Sequence, residues 1–244
     1  VQAHLSGILS GSLSLLHPTF SSAGPIPGQE ENMTRNYLVV DLEATCDERN
    51  FPRDLMETIE IGAVLVDGKT LQPIDEFQTF IKPIRRPQLT AFCTRLTSIT
   101  QHDVDTAPGF AEAISQLGRF LGGRQPQFAS WGAYDWFQLT KDARMHGVRL
   151  PLRSDNINLK QAFSAGLITK KKFGMKAALR RVGIPLEGTH HRGIDDARNI
   201  AKLLPFCLGR TQPPVRAEDR REQRRRRRRE QEDTIEHFLR RRRR

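Results

Sequence analysis

The chain has 244 residues, enough for one well-buried domain with appendages or at most two small domains. Its formal net charge is +11, but residues 213–244 hold 14 Arg against 7 Asp and Glu, so the other residues carry only +4. No long apolar span exists, which argues against a membrane protein. The three cysteines are far apart with no CxxC pair, which argues against zinc and favours a reducing, cytoplasmic compartment.

The first 32 residues contain no Lys or Arg, and their first acidic residue is Glu30. Ser and Gly interrupt their apolar positions, so the segment matches neither a secretory signal nor a mitochondrial presequence. Met33 is the first methionine and stands just before a predicted strand. We therefore expect residues 1–32 to be a disordered or mis-assigned N-terminal extension, followed by one folded domain at residues 33–210.

The next part of the chain predicts three strands of a β-meander. Residues 37–42 form one run rich in β-branched and apolar residues, and residues 58–66 form a second. The turn signal Asp67-Gly68 leads to a third predicted strand at 73–81.

Helical patterns and one further strand fill the rest of the domain. The strand is predicted at 127–131, and a short helix is expected around Phe92 and Leu96, which are four residues apart. Longer helices are predicted at 108–121, 134–146, 158–165, 174–182 and 195–204. Strands first and interspersed helices later indicate a mixed α/β layer fold.

After Pro213-Pro214 the composition changes abruptly to Arg, Glu and Gln. Because closely packed like charges cannot build a core, residues 211–244 are predicted to be an Arg-rich, disordered or solvated tail, partly helical at most. Such a tail can bind nucleic acid without sequence choice by releasing counterions, or it can be dispensable. The lysines at 170–172 could also supply general affinity for nucleic acid, but such a cluster is more often a solvated turn.

Asp41 and Glu43 are separated by one residue at the end of the first predicted strand, so their side chains project to the same face. Two carboxylates on one face raise each other's pKa unless a cation lies between them. The pair therefore indicates a metal site or a shared proton. The alternative is a strand end that surfaces into solvent with ordinary acids.

Two later segments add acids and a histidine. Asp135 follows the strand at 127–131 and opens a helix, where an acid is also a common N-terminal cap. His191 and Asp196 are five residues apart across a loop-to-helix junction, so the histidine can face the helix carboxylate across a substrate. Asp196 has the same capping alternative, and the neighbouring His190 could be a surface side chain.

Carboxylate ligands suit hard cations, whereas a structural zinc site would show Cys or paired His ligands. Mg²⁺ is therefore the expected cofactor, as two ions, and Mn²⁺ is a substitute. In such a site one ion lowers the pKa of the attacking water and the other stabilises the leaving oxygen. A histidine with a pKa near neutrality is the natural base for that water.

Three segments together resemble the motifs of a known family: Asp41-Leu-Glu-Ala-Thr-Cys46, Trp131-Gly-Ala-Tyr-Asp135 and His191-Arg-Gly-Ile-Asp-Asp-Ala-Arg-Asn199. They are similar, in this order, to the exonuclease motifs of the DEDDh exonucleases, in the DnaQ-like part of the ribonuclease H-like superfamily. With residues 92–101 they resemble the Eri-type 3′-5′ exonucleases, whose relatives include the histone-mRNA 3′-end exonuclease. The resemblance implies a mixed central β-sheet of about five strands flanked by helices.

The resemblance also implies roles for individual residues. Asp41 would bridge both metal ions, Glu43 and Asp196 would support the ion on the nucleophile side, and Asp135 would support the leaving-group side. Glu43 and His191 would be catalytic, with His191 as the general base. The 3′-terminal nucleotide would bind to a pocket formed by Glu43, Ala44, Phe92, Leu96, Tyr134 and His191. Core packing is the alternative for Phe92 and Leu96, and Tyr134 could stack on a base.

The predicted activity is metal-dependent 3′-5′ hydrolysis of single-stranded nucleic acid to nucleoside 5′-monophosphates, with RNA preferred over DNA on the resemblance alone. One alternative is a DNA-directed exonuclease of the proofreading or repair kind. Two others are a catalytically silent nucleic-acid-binding module and an adaptor whose tail binds an acidic partner.

Overall fold

In a computed structural model of the chain, the structure describes residues 35–48, 51–167 and 171–214. In the tail it describes six separate positions, which are helical and exposed: Arg221, Arg224, Arg225, Arg228, Arg229 and Gln231. The expectation for residues 1–32 lies outside the described residues, as do most of the tail and Lys170. Every described helix is too short or too polar to cross a lipid bilayer.

A five-stranded mixed sheet forms the centre of the fold, as expected. Its strands are β1 (Tyr37–Ala44), β2 (Thr58–Val66), β3 (Pro73–Phe80), β4 (Gln127–Ser130) and β5 (Asn156–Asn158). Their order is β3-β2-β1-β4-β5; the β1–β2 and β2–β3 pairs are antiparallel, and the β1–β4 and β4–β5 pairs are parallel. Because β1 is central and covered on both faces, its residues are apolar almost without interruption.

Helices flank the sheet on both faces. They are α1 (Ala91–Thr97), α2 (Gln101–Asp105), α3 (Phe110–Leu121), α4 (Tyr134–Met145), α5 (Leu159–Gly166), α6 (Met175–Val182) and α7 (Gly193–Cys207). A 3₁₀ turn, Arg53–Leu55, precedes β2.

Each face of the sheet has its own apolar core. Val39 and Val64 belong to the core under α5, α6 and α7, whereas Leu38 and Val40 belong to the core under α3 and α4. Successive side chains of a strand point to opposite faces. The odd-numbered residues of β1 therefore face α7. Asp41 and Glu43, near the end of the strand, lie on this side of the sheet.

Most predicted elements are present, and their ends differ from the prediction by a few residues. The predicted strand at 127–131 ends at Ser130, and the last helix runs from Gly193 through Pro205 to Cys207. Two elements were missed, α2 and β5. β5 has three residues, two of them Asn, so it lacks the apolar alternation that marks a strand. α2 has five residues, too few for a periodic pattern, although Thr100 and Asp103 form a capping box.

Candidate active site

Three carboxylates from two elements meet at the end of β1. Asp41 and Glu43 project from the α7 face of the strand, and Asp196 lies in the first turn of α7. One oxygen of each carboxylate lies within 4.8 Å of the other two. The helix can approach so closely because it meets β2 at glycines: a Cβ on Gly62 would stand 2.0 Å from the carbonyl carbon of Gly193.

Asp135 reaches the same strand from α4. Its side chain is 5 % exposed, and its Oδ1 accepts a hydrogen bond from the backbone N of Leu42 at 3.1 Å. Leu42 stands between Asp41 and Glu43, so Asp135 lies beside the pair. All four acids predicted as metal ligands are therefore neighbours, although Asp135 bonds to the strand and stands apart from the group of three.

Burial and mutual repulsion raise the pKa values of these acids. Burial, followed by the charges of Asp135 and Glu43, holds the pKa of Asp41 well above its usual range. Burial, followed by the charge of Asp196, raises the pKa of Glu43 to about 9. Burial raises the pKa of Asp135 to about 6 despite its backbone hydrogen bond, and it also raises the pKa of Asp196.

This donor set fits a hard divalent cation. The repulsion among the carboxylates would be relieved by positive charge between them. The cluster of Asp41, Glu43 and Asp196 offers oxygen ligands only, which is the set that Mg²⁺ and similar cations prefer.

Two adjacent histidines stand beside Asp196 in the loop before α7. The backbone N of His191 donates a hydrogen bond to Asp196 Oδ2 at 3.0 Å, and His190 Nδ1 lies 3.0 Å from the same oxygen. Their rings stack with centroids 4.0 Å apart. His191 has φ 67°, a left-handed conformation that non-glycine residues adopt mainly at constrained sites. Burial, followed by the neighbouring His190, lowers the pKa of His191, so its ring is neutral near pH 7.

The alternative of His190 as a surface side chain is therefore wrong. Its side chain is 32 % exposed and is engaged with the carboxylate of Asp196. Sequence spacing alone does not distinguish the two histidines for this contact, because the loop conformation decides which ring reaches Asp196.

Glu60 is a residue of the site that the sequence analysis did not single out. It is fully buried on the α7 face of β2. Its Oε2 accepts hydrogen bonds from Gly193 N at 3.0 Å and from Arg192 Nε at 3.2 Å. The carboxylate thus holds the residues that join His191 to α7. An acid inside the apolar run at 58–66 was the available signal, because a buried carboxylate needs partners.

The predicted nucleotide-pocket residues lie around the end of β1. α1, which carries Phe92 and Leu96, is tied to the chain just after β1, because Thr90 Oγ1 donates a hydrogen bond to the backbone O of Cys46 at 2.7 Å. Phe92 and Leu96 are partly buried and lie outside both cores of the sheet. They also lie outside a third apolar cluster of the described residues, which consists of Ile59, Cys93, Ile99 and Val104. The structure therefore gives no support to the core-packing alternative for this pair.

Ala44 and Tyr134 border the same region from the strand and from α4. The backbone O of Ala44 lies 3.7 Å from Cys93 Sγ of α1. Tyr134 is 38 % exposed, and its Oη lies 3.5 Å from Met56 Sδ. Burial, followed by the charge of Asp135, raises the pKa of Tyr134. The assignment of these residues to a nucleotide pocket stays a prediction.

Comparisons with known proteins bear on this geometry. The sequence pattern of the RNase T family, described as Exonuclease, matches residues 38–204. The chain is 30 % identical over 190 residues to ERI1 exoribonuclease 3 of Mus musculus, covering 74 % of this chain and 55 % of that protein. It is 31 % identical over 188 residues to 3'-5' exonuclease Snipper of Drosophila melanogaster, covering 68 % and 67 %. The chain thus spans about half the length of the mouse protein.

One solved structure is similar to this chain over nearly the whole length of the solved domain. It is the nuclease domain of 3'hExo, a DEDDh family member bound to rAMP, with a TM-score of 0.68 and 25 % identity over 75 % of this chain and 96 % of that domain. DEDDh exonucleases use divalent metal ions, in agreement with the carboxylate cluster. The chain therefore belongs to the exonuclease family, among the DEDDh 3′-5′ exonucleases related to the ERI1-type exoribonucleases, and it has their ribonuclease H-like fold.

Proposed function

We propose that the protein is a metal-dependent 3′-5′ exonuclease that hydrolyses single-stranded nucleic acid, RNA in preference to DNA, to nucleoside 5′-monophosphates. The observation that carries the proposal is the group of Asp41, Glu43 and Asp196 carboxylates within 4.8 Å of one another. A histidine loop bonded to Asp196 stands beside this group, so a cation site and a base are adjacent.

In this proposal two Mg²⁺ ions, for which Mn²⁺ can substitute, are held by four carboxylates. Asp41 would support both ions, Glu43 and Asp196 would support the ion on the nucleophile side, and Asp135 would support the ion on the leaving-group side. When bound, the ions supply acidification of the attacking water and neutralisation of the negative charge on the phosphate. The all-oxygen set of Asp41, Glu43 and Asp196 supports Mg²⁺ over zinc, although His190 and His191 bring nitrogen donors to Asp196 from the adjacent loop.

His191 and Glu43 are the proposed catalytic residues. His191 takes the proton from the attacking water, and its lowered pKa keeps the ring unprotonated near neutral pH. The hydrogen bond from its backbone N to Asp196 fixes the loop that holds the ring. Glu43 would support the ion on the side of the phosphate from which the water attacks.

The proposed pocket accepts one unpaired 3′-terminal nucleotide. Its walls are Glu43 and Ala44 from β1, Phe92 and Leu96 from α1, Tyr134 from α4, and His191. Single strands are favoured because fraying a duplex end costs about a few kcal/mol. The preference for RNA is supported by the similarity of the chain to ERI1 exoribonuclease 3 of Mus musculus.

The limits of the domain and the role of the tail are also part of the proposal. We place the exonuclease domain at residues 33–210, in line with the family match over residues 38–204. The Arg-rich residues 211–244 add general affinity for nucleic acid, so their removal should flatten the salt dependence of binding. An unchanged salt slope would exclude the tail from binding.

A cytoplasmic location is supported by the free thiols of Cys46, Cys93 and Cys207.

Degradation of matched RNA and DNA oligonucleotides tests this function. We expect faster shortening of RNA, no shortening in excess chelator, and recovery when Mg²⁺ or Mn²⁺ is added. Faster shortening of DNA would assign the protein to the proofreading or repair kind. Binding without any shortening, in the presence of Mg²⁺, would instead identify a silent binding module.

A further inference from the structure

The exposed face of α4 extends from the candidate site along the helix. Tyr134, Phe137 and Lys141 follow one another at intervals of three and four residues, so they form one stripe. Phe137 is 67 % exposed, more than any other large apolar side chain that the structure describes. The stripe begins at the proposed nucleotide pocket, because Tyr134 is one of its walls.

Two segments bring arginines alongside this stripe. Lys141 Nζ donates a hydrogen bond to the backbone O of Arg53 at 3.0 Å, which holds the 3₁₀ turn against α4. Arg85 Nη1 donates a hydrogen bond to the backbone O of Asp54 at 2.9 Å, which joins the loop at 84–86 to the same turn. The side chains of Arg53, Arg85 and Arg86 are exposed, and Asp54 is the exposed acid in the described residues of these two segments.

Buried acids hold this surface from beneath. Glu57 is 2 % exposed, and its carboxylate accepts hydrogen bonds from the three backbone N–H groups of residues 84–86 at 2.9 to 3.0 Å. Asp142 is 1 % exposed and accepts hydrogen bonds from Thr58 N at 2.8 Å and Gln138 Nε2 at 2.9 Å. These carboxylates therefore fix the loop and the helix. Arg85 also bonds to Asp54 and Arg86 stands over the ring of Phe51 at 4.8 Å, so a ligand would contact the exposed sides of their guanidinium groups.

We propose that this aromatic-basic strip binds the nucleotides that precede the 3′-terminal nucleotide of a single-stranded substrate. The strip consists of Arg53, Arg85, Arg86, Tyr134 and Phe137, and the half-buried Lys141 holds the 3₁₀ turn beside it. The inference rests on the proposed function, because it takes the 3′ end to lie in the pocket beside Tyr134. Single-stranded nucleic acid combines closely spaced negative charges with unpaired bases, and the strip combines cations with an open aromatic ring. Phe137 stacks on a base, and the arginines contact phosphates.

The test measures binding of a fluorescently labelled 12-nucleotide single strand by the full chain, in chelator so that no strand is consumed. The variants are Phe137→Ala, Phe137→Leu, and Arg85→Ala combined with Arg86→Ala. Lys176→Ala is the control, because Lys176 is exposed on α6, in the layer across the sheet from α4. KM and kcat for the same strand are then measured with Mg²⁺.

We expect each strip variant to raise Kd and KM by about fivefold or more, because stacking and phosphate contacts are lost, with kcat unchanged. Lys176→Ala should leave both constants as they are. Equal Kd values for all variants would overturn the strip while leaving the exonuclease proposal intact. Full affinity in Phe137→Leu would overturn the stacking role. If the wild-type protein cleaves no strand but the strip variants still bind more weakly, the strip is upheld and the exonuclease proposal is rejected.

Discussion

Glu60 Oε2 accepts a hydrogen bond from the backbone N of Gly193 at 3.0 Å, so a buried carboxylate of β2 closes the N-terminus of α7. The same oxygen lies 3.2 Å from Arg192 Nε, and the guanidinium stands over the ring of Phe80 at 5.1 Å. This contact links the sheet to the loop that carries His191. Because α7 also carries Asp196, the position of the proposed base relative to the carboxylates depends on this contact.

Glu60→Gln should lower kcat by about 10- to 100-fold, the usual effect of losing a partner that orients a metal-site residue. The amide keeps the shape of the side chain but loses the charge that pairs with Arg192. Glu76→Gln is the matched control, because Glu76 contacts α7 through Arg198 on an exposed part of the same helix. Steady-state kinetics and thermal melting separate the roles: a positioning role lowers kcat while Tm changes little. Wild-type kcat in a folded Glu60→Gln protein would contradict this role.

Gly62→Ala should destabilise the fold by about 1–3 kcal/mol or more, because its Cβ would meet the backbone of Gly193 at 2.0 Å. For a domain of this size each kcal/mol lowers Tm by about 2–4 °C. Gly118→Ala is the control, for which we expect a small gain in stability. Its Cβ would meet Pro151 only at 3.8 Å, and alanine favours the helix by about 0.5–1 kcal/mol over glycine. A Tm for Gly62→Ala at or above that of wild type would show that α7 does not pack here as described.

Without divalent cations, the free energy of unfolding should fall as pH rises from about 5 to 9. The raised pKa values of Asp135, about 6, and Glu43, about 9, mean that the folded state binds their protons more tightly than the unfolded state. That stabilisation is complete below the unfolded pKa of about 4 and is lost as pH passes through the raised values. Chemical denaturation at several pH values in chelator measures the slope.

Saturating Mg²⁺ should flatten this slope, because cations between the carboxylates remove the advantage of protonation. Asp41→Asn should be more stable than wild type in chelator and gain less stability from Mg²⁺. A metal-free stability that rises between pH 5 and pH 9 would rule out the repulsive cluster.

The two adjacent histidines should differ in their effect on turnover. His191→Ala should lower kcat by about 10²- to 10⁴-fold, as expected for the loss of a general base. His190→Ala should cost about 10- to 100-fold, because His190 orients Asp196 without taking the proton in our proposal. Each variant controls for the other, since both lose one imidazole from the same stack. A larger loss of kcat in His190→Ala than in His191→Ala would exchange the proposed roles.

The sheet and its main helices could be predicted because their residues are long, periodic runs with turn signals at their ends. β2 is a clear case, since residues 58–66 are found in a strand with those ends. β5 and α2 could not be found in this way, because three and five residues are too few for a pattern. Their positions come from tertiary pairing and capping instead.

Asp41 and Glu43 could be predicted because they alternate with apolar residues in one strand, a local feature, whereas Asp135 and Asp196 were assigned through the resemblance of their segments to the exonuclease motifs. The contacts of Glu60 and His190 join residues more than 100 positions apart or depend on one loop conformation. Sequence spacing does not report such contacts. The strip along α4 is similar, because it is assembled from three segments that meet only in the folded protein.

The most direct test of the proposed chemistry is time-resolved mapping of products from one RNA strand labelled at its 5′ end or at its 3′ end, with Mg²⁺ and with excess chelator. We predict that the 5′-labelled strand shortens one nucleotide at a time and that the 3′ label appears at once as a nucleoside 5′-monophosphate. Neither change should occur in chelator or with Asp41→Asn. Internal cleavage, release from the 5′ end, or undiminished cleavage in chelator would contradict a metal-dependent 3′-5′ exonuclease.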